Sequence, residues 1–132
     1  GLAHGRGYGD NFQSVLMSND IREMKRFIKK THKMKRNITN SAYLGDLLVT
    51  GYSVFSRNRM FGNMVGKGYT VKSAQLEMNM VAEGYYATKS AYLINKTSSN
   101  KARLPIINAV YKILYEGKNA KKVFKKLTDK LD

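Results

Sequence analysis

Apolar positions recur along this chain at the three- and four-residue intervals of helices, and few stretches alternate with the period of two that marks strands. From Asn11 to about Met34, Phe12, Leu16, Met24, Ile28 and Thr31 recur near helical spacing, with Phe27 beside them. Arg22, Lys25, Arg26, Lys29, Lys30 and Lys33 fall mostly on another side. Asp10 suits the N-cap, because its carboxylate can accept free first-turn amides. Such a helix is on the order of 36 Å long. A polar break from Lys35 to Asn40 precedes a short helical stretch over about Ser41 to Val49. Another helix is predicted from near Ser56 to Gly66 or Gly68, then one from Val71 to Met78 capped by Thr70. A longer helix covers about Val81 to Asn95, with Val81, Tyr85, Thr88 and Tyr92 inward, and a polar loop runs from Lys96 to Arg103.

Pro105, the sole proline, suits a first helical turn, where its missing amide proton costs nothing. Ile106, Val110, Ile113 and Leu114 form the apolar stripe of that helix, and Gly117 stops it in the manner of a C-terminal glycine. Asn119 can cap a last helix with Val123, Phe124, Leu127 and Leu131 facing in. No internal repeat of fixed period is present. The expectation is an irregular all-α bundle of about six to eight helices. At 132 residues it is expected to form one domain, 1–132, with a sizeable core.

Composition narrows the chemistry. Hydrophobic residues at 42% and charged residues at 25% exclude a disordered polymer. The absence of cysteine excludes a disulfide scaffold and a thiolate nucleophile. With His4 and His32 the only histidines, no metal site is expected. No apolar run approaches the ~20 residues of a membrane span, and no secretory signal is visible. The outlier is charge: 24 Lys and Arg against 9 Asp and Glu give +15, a surface that attracts nucleic acid, anionic lipid or small phosphorylated ligands.

Four features bear on function. The opening Gly5-Arg6-Gly7-Tyr8-Gly9-Asp10-Asn11 fails as a dinucleotide fingerprint, since no strand precedes it and Asp10 stands at the third glycine position. It reads instead as close backbone packing at a helix start. Asp46 and Thr50 lie four residues apart and share one helical face, able to hydrogen-bond a polyol or ketone-alcohol; a solvated Asp and a Thr bonded to its own helix fit the same spacing. Ser56-Arg57-Asn58-Arg59 sits at a helix start, where exposed amides attract anions and a guanidinium can grip a phosphate through two bonds; a polar cap with surface arginines fits equally. Glu83, before Gly84, is able to accept from a ribose hydroxyl or to be an ordinary surface glutamate. The basic runs Arg22 to Arg36 and Lys118 to Lys130 read as solvated faces.

The ordered set of these pieces resembles a known family, the C-terminal domain of bacterial-type NAD(P)-dependent glycerol-3-phosphate dehydrogenase. The resemblance covers essentially the whole chain. It is carried by Gly7-Tyr8-Gly9-Asp10-Asn11, by Gly45-Asp46-Leu47-Leu48-Val49-Thr50 with Ser56-Arg57-Asn58-Arg59-Met60-Phe61-Gly62, and by Val81-Ala82-Glu83-Gly84. Leu104-Pro105-Ile106, Val110-Tyr111 and Tyr115-Glu116-Gly117 close the pattern.

The resemblance implies the helical fold of the 6-phosphogluconate dehydrogenase C-terminal domain class. It implies that sn-glycerol 3-phosphate and dihydroxyacetone phosphate are interconverted by hydride transfer with NAD or NADP, supplying phospholipid synthesis in the cytoplasm. Asp46, Thr50, Ser56, Arg57 and Asn58 are implied to contact substrate, and Arg57, Val81 and Glu83 the dinucleotide. The family's nucleotide-binding Rossmann half and its general acid/base lysine are expected upstream of Gly1, so the chain is expected to be a C-terminal fragment, inactive alone. Its expected partners are that half and a second copy of itself. The competing expectations are a basic helical nucleic-acid binder and a docking domain.

Overall fold

Seven helices make up the described residues, 1–31, 56–78 and 80–131 of the computed structural model, with no strand among them. They are α1 (Leu2–Gly5), α2 (Asp10–Thr31), α3 (Arg57–Gly66), α4 (Val71–Glu77), α5 (Glu83–Thr97), α6 (Pro105–Tyr115) and α7 (Ala120–Thr128). The expected helix tail past residue 31, the side chain of Thr31, the polar break at 35–40 and the short helix at 41–49 lie outside the described residues.

Local chemistry sets most boundaries. Ser56 Oγ accepts from the Arg59 amide at 3.4 Å, Thr70 Oγ1 from Ser73 at 3.0 Å, and Asn119 Oδ1 from Lys122 at 3.1 Å, so three predicted caps close three helix starts. Pro105 opens α6. Gly117 ends it at φ +64°, a left-handed turn in which the Lys118 amide reaches back to the Lys112 carbonyl at 3.0 Å.

Two apolar expectations change. Val81 does not turn inward: α5 begins two residues later, and Val81 lies in the extended approach, 53% exposed, while Ala82 behind it is buried. Met24 is 42% exposed, and the buried positions of α2 are Gln13, Met17, Asn19 and Glu23. The buried stripe is therefore rotated by about one position and carries polar groups. Glu23 accounts for its own burial. Its carboxylate accepts from the Ile106 and Ile107 amides at 2.7 and 2.9 Å, sealing the first turn of α6.

Phe61 and Val65 of α3, Ile113 and Leu114 of α6, and Phe124 and Leu127 of α7 meet in one core, joined by Leu2 and Ala3. Between α5 and α6 the filling is aromatic. Tyr92 stacks on Tyr111 at 3.7 Å, Tyr111 on Tyr115 at 5.1 Å and Tyr115 on Tyr85 at 4.5 Å. The Tyr115 hydroxyl also donates to the Tyr85 carbonyl.

The helix α1 is unexpected from the sequence pattern. It runs parallel to α3 with glycines on both sides: Gly1 rests on Arg59 and Gly62, and Gly5 on Asn63 and Gly66. A Cβ on Gly62 would stand 2.8 Å from the Leu2 nitrogen, and one on Gly66 would collide with the Leu2 carbonyl oxygen. The reading of Gly5 as a close-packing glycine holds, but it ends this added helix instead of opening α2.

Candidate active-site wall at two helix starts

The fold brings the first turns of α3 and α5 together. The bond that joins them runs from the Gly84 amide to Asn58 Oδ1, 2.9 Å, across 26 residues of sequence. Contact is tight, since a Cβ on Gly84 would lie 2.9 Å from that same oxygen. Asn58 is thus a clamp, with its carbonyl oxygen engaged and its NH2 group on the exposed side chain left to donate.

On the α3 side, Ser56 caps the helix, and Arg57 follows in the first turn, exposed. The amides of Arg57 and Asn58 precede the first intrahelical bond, which the Met60 amide makes to the Ser56 carbonyl at 2.9 Å. On the α5 side, Glu83 is the first helical residue, also exposed, and Ala82 provides no side-chain cap. Among the described residues neither Arg57 nor Glu83 has a hydrogen-bond or ion-pair partner. Two helix starts therefore present a guanidinium, an amide NH2, a hydroxyl and a carboxylate at one junction.

Beside this junction, Phe61, Met78, Met80, Val81, Tyr85 and Tyr86 line a recess of about 310 Å³. Met80 (58%) and Tyr86 (56%) leave apolar surface open to solvent there. Patches of this kind mark contact sites when they adjoin a polar cluster.

Of the residues expected to act, Ser56, Arg57 and Asn58 and the pair Val81 and Glu83 are brought together by the Asn58–Gly84 clamp. Asp46 and Thr50 lie outside the described residues. Sequence reading missed the clamping role of Asn58 and the two-amide cap from Glu23. An acid set within the basic run Arg22 to Arg36, and a proline that leaves the next two amides without helical partners, were the available signals for the second. Further into the bundle, burial pushes the carboxyl of half-buried Asp20 up to about 7, with the neighbouring Glu23 charge adding to the rise. Glu23 is also raised by burial, against the opposing pull of its two amides.

Residues 1–125 match the family model described as NAD-dependent glycerol-3-phosphate dehydrogenase C-terminus. The chain is 37% identical over 130 residues to an NAD(P)+ glycerol-3-phosphate dehydrogenase of Staphylococcus aureus (strain JH9), spanning 98% of this chain and 39% of that protein. It is 39% identical over 119 residues to the enzyme of the same name from Thermoanaerobacter sp. (strain X514), spanning 90% of this chain and 36% of that protein. Among solved structures, a glycerol-3-phosphate dehydrogenase from Coxiella burnetii superposes with a TM-score of 0.88 at 28% identity, over 96% of this chain and 38% of that one. The chain thus spans under two fifths of the length of the relatives it matches.

Proposed function

Because this chain belongs to the NAD-dependent glycerol-3-phosphate dehydrogenase C-terminus family, we propose that it forms the helical substrate-binding domain of such an enzyme. The reaction is the interconversion of sn-glycerol 3-phosphate and dihydroxyacetone phosphate, supplying glycerol 3-phosphate for phospholipid synthesis. The observation that carries the reading is the clamp of Asn58 on Gly84, which sets Arg57 and Glu83 on adjoining helix starts.

Each side chain then has a task. Arg57 grips the substrate phosphate through its planar fork, aided by the first-turn amides of α3. Ser56 Oγ accepts from the Arg59 amide, so its proton is available to a phosphate oxygen. Asn58 donates from its NH2 group to a substrate oxygen while its carbonyl oxygen holds α5 in place. Asp46 and Thr50 complete the substrate wall by bonding its hydroxyl or carbonyl groups. Glu83 accepts from a hydroxyl of the dinucleotide, Val81 gives it an apolar contact, and Arg57 lies between the two ligands. This donor set fits NAD or NADP, since an unpaired guanidinium and an unpaired carboxylate suit a ligand bearing both phosphates and ribose hydroxyls. Hydride exchange at the C2 carbon is the chemistry that the bound nicotinamide supplies.

The general acid/base belongs to a lysine upstream of Gly1. Gly5 lies against Asn63 and Gly66, and Gly1 one turn earlier against Arg59 and Gly62. The Arg57–Gly66 helix has its substrate-facing residues, in this reading, at its Ser56 to Asn58 end. There an ammonium group can protonate the ketone oxygen as hydride arrives, or take the alcohol proton in the reverse direction. The exposed apolar surface of Met80 and Tyr86 suits contact with a Rossmann half. The same reading puts the enzyme in the cytoplasm, with a homodimer as the assembly to test.

In the whole enzyme, Arg57→Ala raises KM for dihydroxyacetone phosphate by about tenfold or more and lowers kcat, as expected for a lost charged hydrogen bond. Unchanged kinetics refutes the phosphate role. The 132-residue chain alone does not oxidise NADH with dihydroxyacetone phosphate; measurable turnover contradicts the need for the upstream lysine.

A further inference from the structure

A second cationic feature lies away from the wall just described. Tyr92 marks its edge, nine residues beyond Glu83 on α5 and so about 13 Å along that helix. Between α6 and α7 runs a groove of about 440 Å³, floored by Ala109, Val123 and Leu127. Five lysines line it: Lys112 from α6, Lys118 from the turn after it, Lys122 and Lys126 from α7, and Lys130 beyond the end of α7. The remaining polar side chains on its walls belong to Asn108, Asn119 and Tyr92, and no carboxylate lines it.

These ammonium groups are not engaged by the protein. By contrast, Arg26 donates to the Arg103 carbonyl at 2.8 Å and Lys30 to Asn100 Oδ1 at 2.8 Å. The five groove lysines have no ion pair or side-chain hydrogen bond among the described residues. Like charges gathered in a concave, partly apolar cleft repel one another and focus a positive potential into it. The nine-residue helix α7 adds to that potential, because its N-terminus, capped by Asn119, opens on the same groove. Lys122 and Lys126 stand about 6 Å apart along the helix axis, with Lys112 on the facing wall. A single phosphate reaches only part of this set, whereas linked phosphates can follow it.

We propose that the α6–α7 groove is a binding site for a soluble oligophosphate, an anion carrying two or more linked phosphate groups. The site is independent of the dehydrogenase reading, and its cations are lysines, which bind as point charges on mobile stems. It therefore selects for charge density over a fixed shape.

Calorimetric titration of the full chain with inorganic tripolyphosphate tests this. One saturable site is expected, and inorganic monophosphate is expected to bind it about tenfold more weakly or worse. Lys122→Ser combined with Lys126→Ser weakens tripolyphosphate binding by about tenfold, and Lys112→Ser from the opposite wall weakens it as well. The charge-matched control Lys25→Ser with Lys72→Ser, on exposed faces of α2 and α4, leaves it unchanged. Absence of a saturable site, equal loss in both double variants, no effect of Lys112→Ser, or equal affinity for monophosphate overturns the proposal. A lipid source is separated by vesicles of phosphatidylglycerol and phosphatidylcholine. Binding to these that the Lys122→Ser, Lys126→Ser double variant abolishes and that tripolyphosphate does not displace assigns the groove to a membrane surface and overturns it.

Discussion

Two helix starts in this molecule solve the same electrostatic problem in opposite ways. At α6, the amides of Ile106 and Ile107 meet both oxygens of the buried Glu23 carboxylate, so the positive end of the helix is neutralised inside the protein. At α3, Ser56 satisfies only the Arg59 amide, and a guanidinium is added where a carboxylate stands at α6. One start is closed and structural. The other is left open and made more positive, which suits an anionic ligand and little else. The difference teaches that a helix N-terminus becomes a binding feature through what the rest of the chain withholds from it.

The contrast can be broken first at the closed end. Glu23→Ala strands the buried Ile106 amide and the part-buried Ile107 amide and lowers the unfolding free energy by about 2–4 kcal/mol; urea denaturation followed by circular dichroism measures it. Next is the seam that positions the open end. Gly66→Ala forces a methyl against the Leu2 carbonyl and costs about 2–3 kcal/mol by the same measurement.

A smaller effect of opposite sign comes from Asp20, one turn before Glu23. Its carboxyl, ordinarily at 3.8, is held at about 7 in the folded chain. Below about pH 4 it is protonated in both states and carries no penalty. Between about pH 4 and 7 the unfolded chain releases its proton first, so stability falls as pH rises across that window. Asp20→Asn removes this fall and stabilises the fold at pH 7 by about 1–2 kcal/mol; melts at pH 4.5 and 7.5 reveal both. Smallest is Arg57→Ala, which shifts stability by less than about 0.5 kcal/mol, as expected of an exposed side chain with no protein partner. A large loss on that substitution means the open start is structural too.

What was legible in the sequence follows the range of each interaction. Ser56, Thr70, Asn119, Pro105 and Gly117 act within a few residues of themselves, and each stands where local chemistry placed it. The pairing of Glu23 with Ile106 spans 83 residues, and that of Asn58 with Gly84 spans 26; no local pattern encodes such choices of partner. The helix α1 was hidden because four residues between glycines give no periodicity, and its stability comes from the backbone surface of α3. Val81 was misjudged because apolar spacing carried the helix two residues too far. That Ser56 to Asn58 and Val81 to Glu83 belong together was suggested only by family resemblance, since spacing alone left each with an ordinary reading; their proximity comes from the Asn58–Gly84 bond.

The seam of Gly1 and Gly5 with Gly62 and Gly66 is main chain against main chain. At these glycines there is no side chain to absorb a displacement, so a shift of α3 is expected to carry α1 with it. A displacement forced at Gly66 is therefore expected to reach the other end of the same helix, where Arg57 stands. Chemistry at that end can thus be detuned by substitutions that never touch a ligand.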